Sequence, residues 1–380
     1  MLDWMPARQS PLFYNPREMA TMKTLNLAMI GQGFMGRAHS NAFHQVNHFF
    51  DTAFNLNLNV VCGRDENKLR EVASRWGWSE TETDWRKLID RPDIDVIDIG
   101  APNHLHAEIA IAAAEAGKIV WCEKPLAMDV AEAERMVKAV AGKPNLVWFN
   151  YRRVPAIAFA RQLIGDGRIG EVYHYRATYL NSSGLNATRG NTWRYKKETA
   201  GSGAAGDLLS HLIDLALWLN GPISEVCGLL KTFVPGREVD DAAITMARFA
   251  NGSVGTLEAT RYGTGNRNRN MFEIHGSKGA LVFNLEDMNR LQFYDVNDAP
   301  ENGMRTILAT GPGHPYVNDF WPPGHLIGYE HSFIATLADF LKALHEGTEF
   351  HANFEDGLKV QKLVAAVEES AEKKKWTTLA

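Results

Sequence analysis

Cysteine is scarce in this chain of 380 residues: Cys62, Cys122 and Cys227 are the full complement, and none has a CxxC or other metal-ligand spacing. Free thiols in that number fit a reducing, cytoplasmic compartment. An excess of charge of one sign is missing as well. A net charge of −5 gives no global attraction to nucleic acid or to an acidic membrane surface. The local basic stretch Arg261, Arg267, Arg269 is interleaved with Asn and Gly, so a solvated or substrate-facing loop describes it better than a nucleic-acid footprint. Residues 1–23 carry Trp4, Pro6, Pro11, Phe13 and Pro16 but no apolar core with a cleavage site and no twin arginine, which argues against secretion. They read as a short arm, or as an over-long start ahead of Met19 or Met22.

Hydrophobic residues make up 45% and charged residues 22%, the composition of an ordinary globular protein, and the length suffices for two cores. The informative local feature is the turn Gly31-Gln32-Gly33-Phe34-Met35-Gly36, directly after the apolar run 25–30. Buried strand, then glycines at the first, third and sixth places, then a helix: this order lets the backbone approach a pyrophosphate and aim helix N–H groups at it. Glycines also shape turns in proteins that bind no nucleotide, but here the context supports the dinucleotide reading. Periodicity predicts strands at 57–62, 96–100, 119–122 and 146–149, with helices at 66–76 and 106–117 between them. That alternation predicts a parallel sheet covered by helices, a Rossmann domain over 24–149.

Past Asn150 the pattern changes. A helix at 155–164 leads into alternating runs at 172–180, 243–249, 254–260, 271–275, 280–283 and 291–294, and two helices close the chain at 330–346 and 355–374. The expectation is an α+β domain over 150–380 with a large, mostly antiparallel, open sheet. Residues 295–327, rich in Gly, Pro and aromatics, read as a long loop serving as a lid or a subunit contact.

Two places carry chemistry. Glu123-Lys124-Pro125 follows the strand 119–122 at the carboxyl edge of the expected sheet, where ligands of such sheets bind. A lysine beside proline is commonly a surface turn; this position makes Lys124 a candidate to stabilise an alkoxide. Asp207, His211 and Asp214 stand at i, i+4 and i+7 of the run 208–219, a spacing that predicts one shared helix face. A histidine flanked by carboxylates can accept the proton that an alcohol loses as hydride departs, and the neighbouring negative charge would favour its charged form. A solvent-facing stripe is the other reading of the same spacing. His104 and His106 lack a third ligand at a recognisable spacing, so no metal is expected.

The turn at 31–36, the stretch Ala101-Pro102-Asn103-His104-Leu105-His106, the Glu123-Lys124-Pro125 triplet and the Asp207-x-x-x-His211-x-x-Asp214 helix together resemble the glucose-fructose oxidoreductase/inositol dehydrogenase (Gfo/Idh/MocA) family, over nearly the whole chain from Leu25. The resemblance implies Lys124, Asp207 and His211 as the catalytic group, with His211 as general base. It also implies a dinucleotide lined by Gly31, Gly33, Phe34, Met35, Gly36, Gly63, Arg64, Ala101, Pro102, Asn103, His106, Glu123 and Lys124, and a dimer or tetramer, with the domain over 150–380 serving substrate binding and oligomerisation. A narrower set is similar to its levoglucosan dehydrogenase and glycoside 3-dehydrogenase branch: Asn150-Tyr151-Arg152-Arg153-x-Pro155, Thr192-Trp193-Arg194, residues 272–276 and the loop 310–316. This implies oxidation of a sugar, anhydrosugar or glycoside hydroxyl at C3. Asn150, Tyr151, Arg152, Tyr179, Trp193, Arg194, Asp207 and His211 are then the expected substrate contacts. Alternatives on the same fold are redox-assisted glycoside cleavage with tightly held NAD, inositol oxidation, and a regulator without catalysis. Gly63, in the place of the usual ribose-binding acid and followed by Arg64, permits NADP as well as NAD, with Asp65 in reach of the ribose.

Overall fold

The computed structural model describes residues 22–185, 192–301 and 303–379. The expected arm at 1–23 therefore falls almost wholly outside the described residues. Six strands, β1 (Lys23–Ile30), β2 (Phe54–Cys62), β3 (Glu80–Glu82), β4 (Val96–Ile99), β5 (Ile119–Cys122) and β6 (Asn145–Val147), form one sheet in the order β3-β2-β1-β4-β5-β6. All its pairings are parallel. Burial on both faces explains why β4 is an unbroken apolar run apart from Asp98. The chain order reverses beside β1, so β1 and β4 end at a crevice, the place where such sheets bind ligands.

A second sheet of nine strands contains β7 (Val172–Leu180), β8 (Ile223–Lys231), β9 (Ala242–Phe249), β10 (Val254–Thr260), β11 (Arg269–Gly276), β12 (Gly279–Asn284), β13 (Arg290–Asp295), β14 (Arg305–Leu308) and β15 (Thr377–Thr378). The pairings are antiparallel except β7 with β10. β8, β14 and β15 escaped the periodicity reading; β14 and β15 are edge strands of four and two residues, too short for alternation to show. On β9 the pattern is strict, with Ile244 and Met246 exposed between buried Ala243, Thr245 and Ala247. One face of this sheet thus stays open.

The closing helices do not stay with the second sheet. Tyr329–Glu346 packs on Phe34–Phe49, and Phe354–Lys373 packs on both Val130–Ala139 and β8. Phe340 meets Trp121 at 5.4 Å and Phe333 meets Trp148 at 5.7 Å, so the last segment completes the first core. The 295–327 segment is more regular than expected, holding β14 and a helix Val317–Phe320. Phe320 and Trp321 pack edge-on against Phe49. None of its described residues lines the main cleft.

Candidate active site

A cleft of about 790 Å³ runs from the carboxyl edge of the first sheet to the inner face of the second. Its first half is backbone. Gly31, at φ 140°, lies so close to Gly100 that a Cβ would sit 2.4 Å from the Gly100 carbonyl oxygen. At Gly36 a Cβ would meet the Gly31 oxygen at 2.2 Å, so Gly36 lies behind the turn and allows the close packing without lining the cleft. A Cβ at Gly33 would meet no atom within 4 Å: that side of the turn is open. The helix Phe34–Phe49 begins there with no side-chain cap and no acid in its first turn, leaving first-turn N–H groups available to an anion. Gln32 Oε1 is buried without a partner beside Gly63, an acceptor awaiting a donor such as a ribose hydroxyl. These features fit a dinucleotide.

Gly63 directly follows β2, which fixes the register there, and Arg64 lines the cleft with no ion pair among the described residues. Asp65 caps the helix Glu66–Trp76, Oδ1 accepting the Lys68 N–H at 3.2 Å, and it also lines the cleft beside Arg64. Ala101, Pro102, Asn103 and His106 line the same half, as do Phe34 and Met35. Asn103 Nδ2 donates to the Ala200 carbonyl at 2.9 Å, tying this loop to the second domain. The His106 nitrogens lie 3.0 and 2.9 Å from the Pro125 and Ala101 carbonyls, and His104 Nδ1 lies 3.3 Å from the Thr199 carbonyl. Among the described residues no group of three or more His, Cys, Asp or Glu could hold a metal.

In the other half, Lys124 Nζ donates to Asp207 Oδ1 at 3.0 Å and to the Asp207 carbonyl at 2.9 Å. The second Asp207 oxygen accepts Arg261 Nη2 at 3.0 Å. Burial alone would raise the Asp207 carboxyl, but the charges of Lys124, Arg261 and Arg194 outweigh it and hold the group ionised, far below the usual carboxylate range. Asp240 secures the approach to this residue by accepting the Gly203 and Ala205 N–H groups at 2.6 and 2.8 Å.

His211 faces the same space, its ring centroid 4.6 Å from Tyr151 and 5.9 Å from Tyr179. Neither of its ring nitrogens is hydrogen-bonded among the described residues. Burial first, and then the Lys124 charge, push its pKa well below the ordinary 6.5, and Asp207 offsets only part of this. The neutral imidazole is therefore the resting form, the reverse of what flanking carboxylates led one to expect. Tyr151 and Tyr179 join hydroxyls at 3.1 Å, and Tyr179 donates to Asn268 Oδ1 at 2.7 Å. Asn150, Trp193 and Arg194 also line this half, with the Arg194 guanidinium 4.6 Å over the Trp193 ring.

Two expected residues are elsewhere. Asp207 lies in a π-helical turn, Ala205–Leu209, ahead of the α-helix Ser210–Asn220. The wider turn shifts the helical phase, so the spacing that predicted one face for Asp207, His211 and Asp214 fails at Asp214. Asp214 points away from the cleft and accepts Arg152 at 3.1 Å from Nε, with a closer contact from Nη2 at 2.5 Å. Arg152 also donates to Asp356 at 2.9 Å and lies 4.8 Å over Trp218. Only 4% exposed, it is a structural cation and not a substrate contact. Arg261, Asn268 and Tyr329 are site residues that motif reading did not assign, because each comes from a part of the chain with no recognisable spacing to the motifs.

A six-stranded doubly wound sheet with an open glycine turn, and a lysine, an aspartate and a neutral histidine facing it across a cleft, define a dinucleotide-dependent oxidoreductase. Residues 25–151 match the model of the oxidoreductase family with an NAD-binding Rossmann fold, and residues 157–282 match the GFO/IDH/MocA C-terminal domain. The chain is 43% identical to levoglucosan dehydrogenase of Pseudarthrobacter phenanthrenivorans over 93% of its own length and 98% of that protein. A solved levoglucosan dehydrogenase in complex with NADH and levoglucosan matches at 44% identity with a TM-score of 0.91, covering 94% of this chain and all of that one. An oxidoreductase domain protein from Kribbella flavida matches at 49% identity and a TM-score of 0.92 over the same 94%. The chain belongs to the GFO/IDH/MocA family of NAD-binding oxidoreductases.

Proposed function

We propose that this protein is an NAD-dependent dehydrogenase that oxidises a secondary hydroxyl, at C3, of a pyranose, of an anhydrosugar such as levoglucosan, or of a related glycoside. The observation that carries the reading is the pairing of Lys124, tethered to an ionised Asp207, with an unpartnered neutral His211 in one cleft. A nicotinamide held in the first half of the cleft would supply the acceptor for the carbon-bound hydrogen, which leaves as hydride. His211, neutral and with one unengaged nitrogen lone pair, takes the hydroxyl proton. Lys124 holds the oxygen as negative charge develops on it, and Asp207 keeps that ammonium in place. Tyr151, Tyr179, Asn150, Trp193 and Arg194 offer the remaining hydroxyls hydrogen bonds and a flat face.

Gly31, Gly33, Phe34 and Met35 would hold the pyrophosphate, and Arg64 would tolerate a 2′-phosphate, an arrangement that permits NADP as well as NAD. The three thiols, all free, suit the cytoplasm, and no helix among the described residues is long and apolar enough to cross a membrane. The open sheet face, with Ile244 and Met246 exposed, suits a homodimer or homotetramer. The test is spectrophotometric: NAD and NADP separately against levoglucosan, glucose, glucosides and inositols, with product analysis. Reduced nicotinamide accumulating with a 3-keto product is the expected result. Cleavage of a glycoside with no net reduction, or inositol oxidation alone, would refute the assignment.

A further inference from the structure

His39, on the helix that opens at the glycine turn, is completely buried. Its ring stacks on Trp148 at 4.2 Å and is bordered by Phe43 and Phe333 at 6.3 and 5.7 Å. Nδ1 lies 2.8 Å from Asp98 Oδ2, and Nε2 lies 3.0 Å from Glu123 Oε1. The remaining oxygens are also spoken for. Trp148 Nε1–H donates to Asp98 Oδ1 at 2.9 Å, and Glu123 Oε2 accepts the Lys124 backbone N–H at 3.0 Å. Between two ionised carboxylates an imidazole is best satisfied by a proton on each ring nitrogen, because a bare nitrogen would face a carboxylate lone pair.

We propose that His39 is a positioning residue of the hydride-transfer site: a buried imidazolium bridging Asp98 and Glu123, it fixes the Glu123 carboxylate that holds the Lys124 main chain and so aims the Lys124 ammonium across the cleft. The inference rests on the role given above to Lys124. It explains why Glu123 precedes Lys124 although both its oxygens are occupied within the protein. The chain of contacts runs from the first turns of the dinucleotide-binding helix through β4 and the end of β5 to the residue that reaches Asp207.

Burial opposes the charge on His39, but the two carboxylates outweigh it and raise the imidazole to about 9. The charged and titratable groups around it are Asp98 on β4, Glu123 after β5, and the Cys122 thiol between them, itself raised by burial and by both carboxylates. His106 and Tyr329 also feel the Glu123 charge. Phe43, Trp148 and Phe333 bring no charge, and the Lys124 ammonium is turned to Asp207. As the imidazolium deprotonates, only one N–H remains for the two carboxylates, and the bridge that fixes Glu123, and through it the Lys124 main chain, is weakened.

The test combines kcat and KM profiles across neutral to alkaline pH for the wild type, H39Q, E123Q and K124M with an NMR titration of the wild-type imidazole. Loss of positioning lowers kcat in E123Q and H39Q on the order of 10- to 100-fold with sugar KM little changed, and the wild-type alkaline limb near 9 is absent from H39Q. The ring should titrate near 9, with both N–H protons present at neutral pH. If H39Q does not fold, E123Q and the wild-type titration decide. An E123Q enzyme with wild-type kcat while K124M is dead, or a His39 that titrates at or below its ordinary value, overturns the proposal alone. Full activity in K124M would instead overturn the role of Lys124 on which it rests.

Discussion

Two acid–base clusters start from the same stretch of chain, seven residues apart, and do opposite things. Around Asp207, a carboxylate one third exposed into the cleft is held by Lys124 and Arg261 at 3.0 Å each. Around Asp214, a carboxylate 2% exposed is locked to Arg152, which is in turn shared with Asp356. The cations differ as the roles do. Lysine carries a compact point charge that can move onto a developing alkoxide, whereas the Arg152 fork is held between two carboxylates at once and is fixed in place by them. Burial sorts the acids too: it wins at Asp214, whose carboxyl rises to about 6, and loses to nearby cations at Asp356, which falls to about 2.

The sharpest way to break the comparison is to remove one cation from each cluster. Lys124→Met should lower kcat by about 1,000-fold, the scale of losing a principal oxyanion donor, and leave the unfolding midpoint near wild type. His211→Asn should lose on the order of 100- to 10,000-fold for want of a base, read as kcat with sugar in excess. Arg152→Met should show the opposite pattern. Asp214 is left buried and unpaired, so denaturant unfolding should register a loss of about 3–5 kcal/mol while the folded fraction retains its kcat. If Arg152→Met abolished turnover in a fully folded protein, the division between the two clusters would fail.

A smaller effect concerns the cofactor half. Arg64→Gln should weaken NADP about tenfold, the value of one charge-assisted hydrogen bond, and leave NAD unchanged, measured by nicotinamide fluorescence titration. Equal weakening of both would place Arg64 away from the 2′ position.

The same contrast marks what the sequence could disclose. The Rossmann half was legible because β1, the glycine turn and the helix that follows are local, and a buried parallel sheet leaves apolar runs that periodicity detects. Most helices and most strands of the second sheet were legible for the same reason, the nine-residue β8 being the exception among the long ones, and so was the presence of Lys124 and His211 in one cleft. The fate of Asp214 and Arg152 was not. Both sat in motifs that implied the site, yet a π turn and the return of Phe354–Lys373, which brings Asp356 to Arg152, decided otherwise. Those are contacts across 62 and 204 residues, and no local spacing encodes them. Arg261 was read only as part of a basic loop. Its pairing with Asp207 spans 54 residues and depends on how β10 lies beside the π turn.

The pH dependence of kcat/KM for the sugar, followed from neutral into acid, tests the central claim most directly, because it reports the protonation state of the base in the free enzyme. With His211 held neutral by burial and by Lys124, activity should stay level through 6.5 and fall only well below it. An acid limb centred at or above 6.5 would mean that the imidazole is charged at rest, and would contradict the account of His211 as the waiting base.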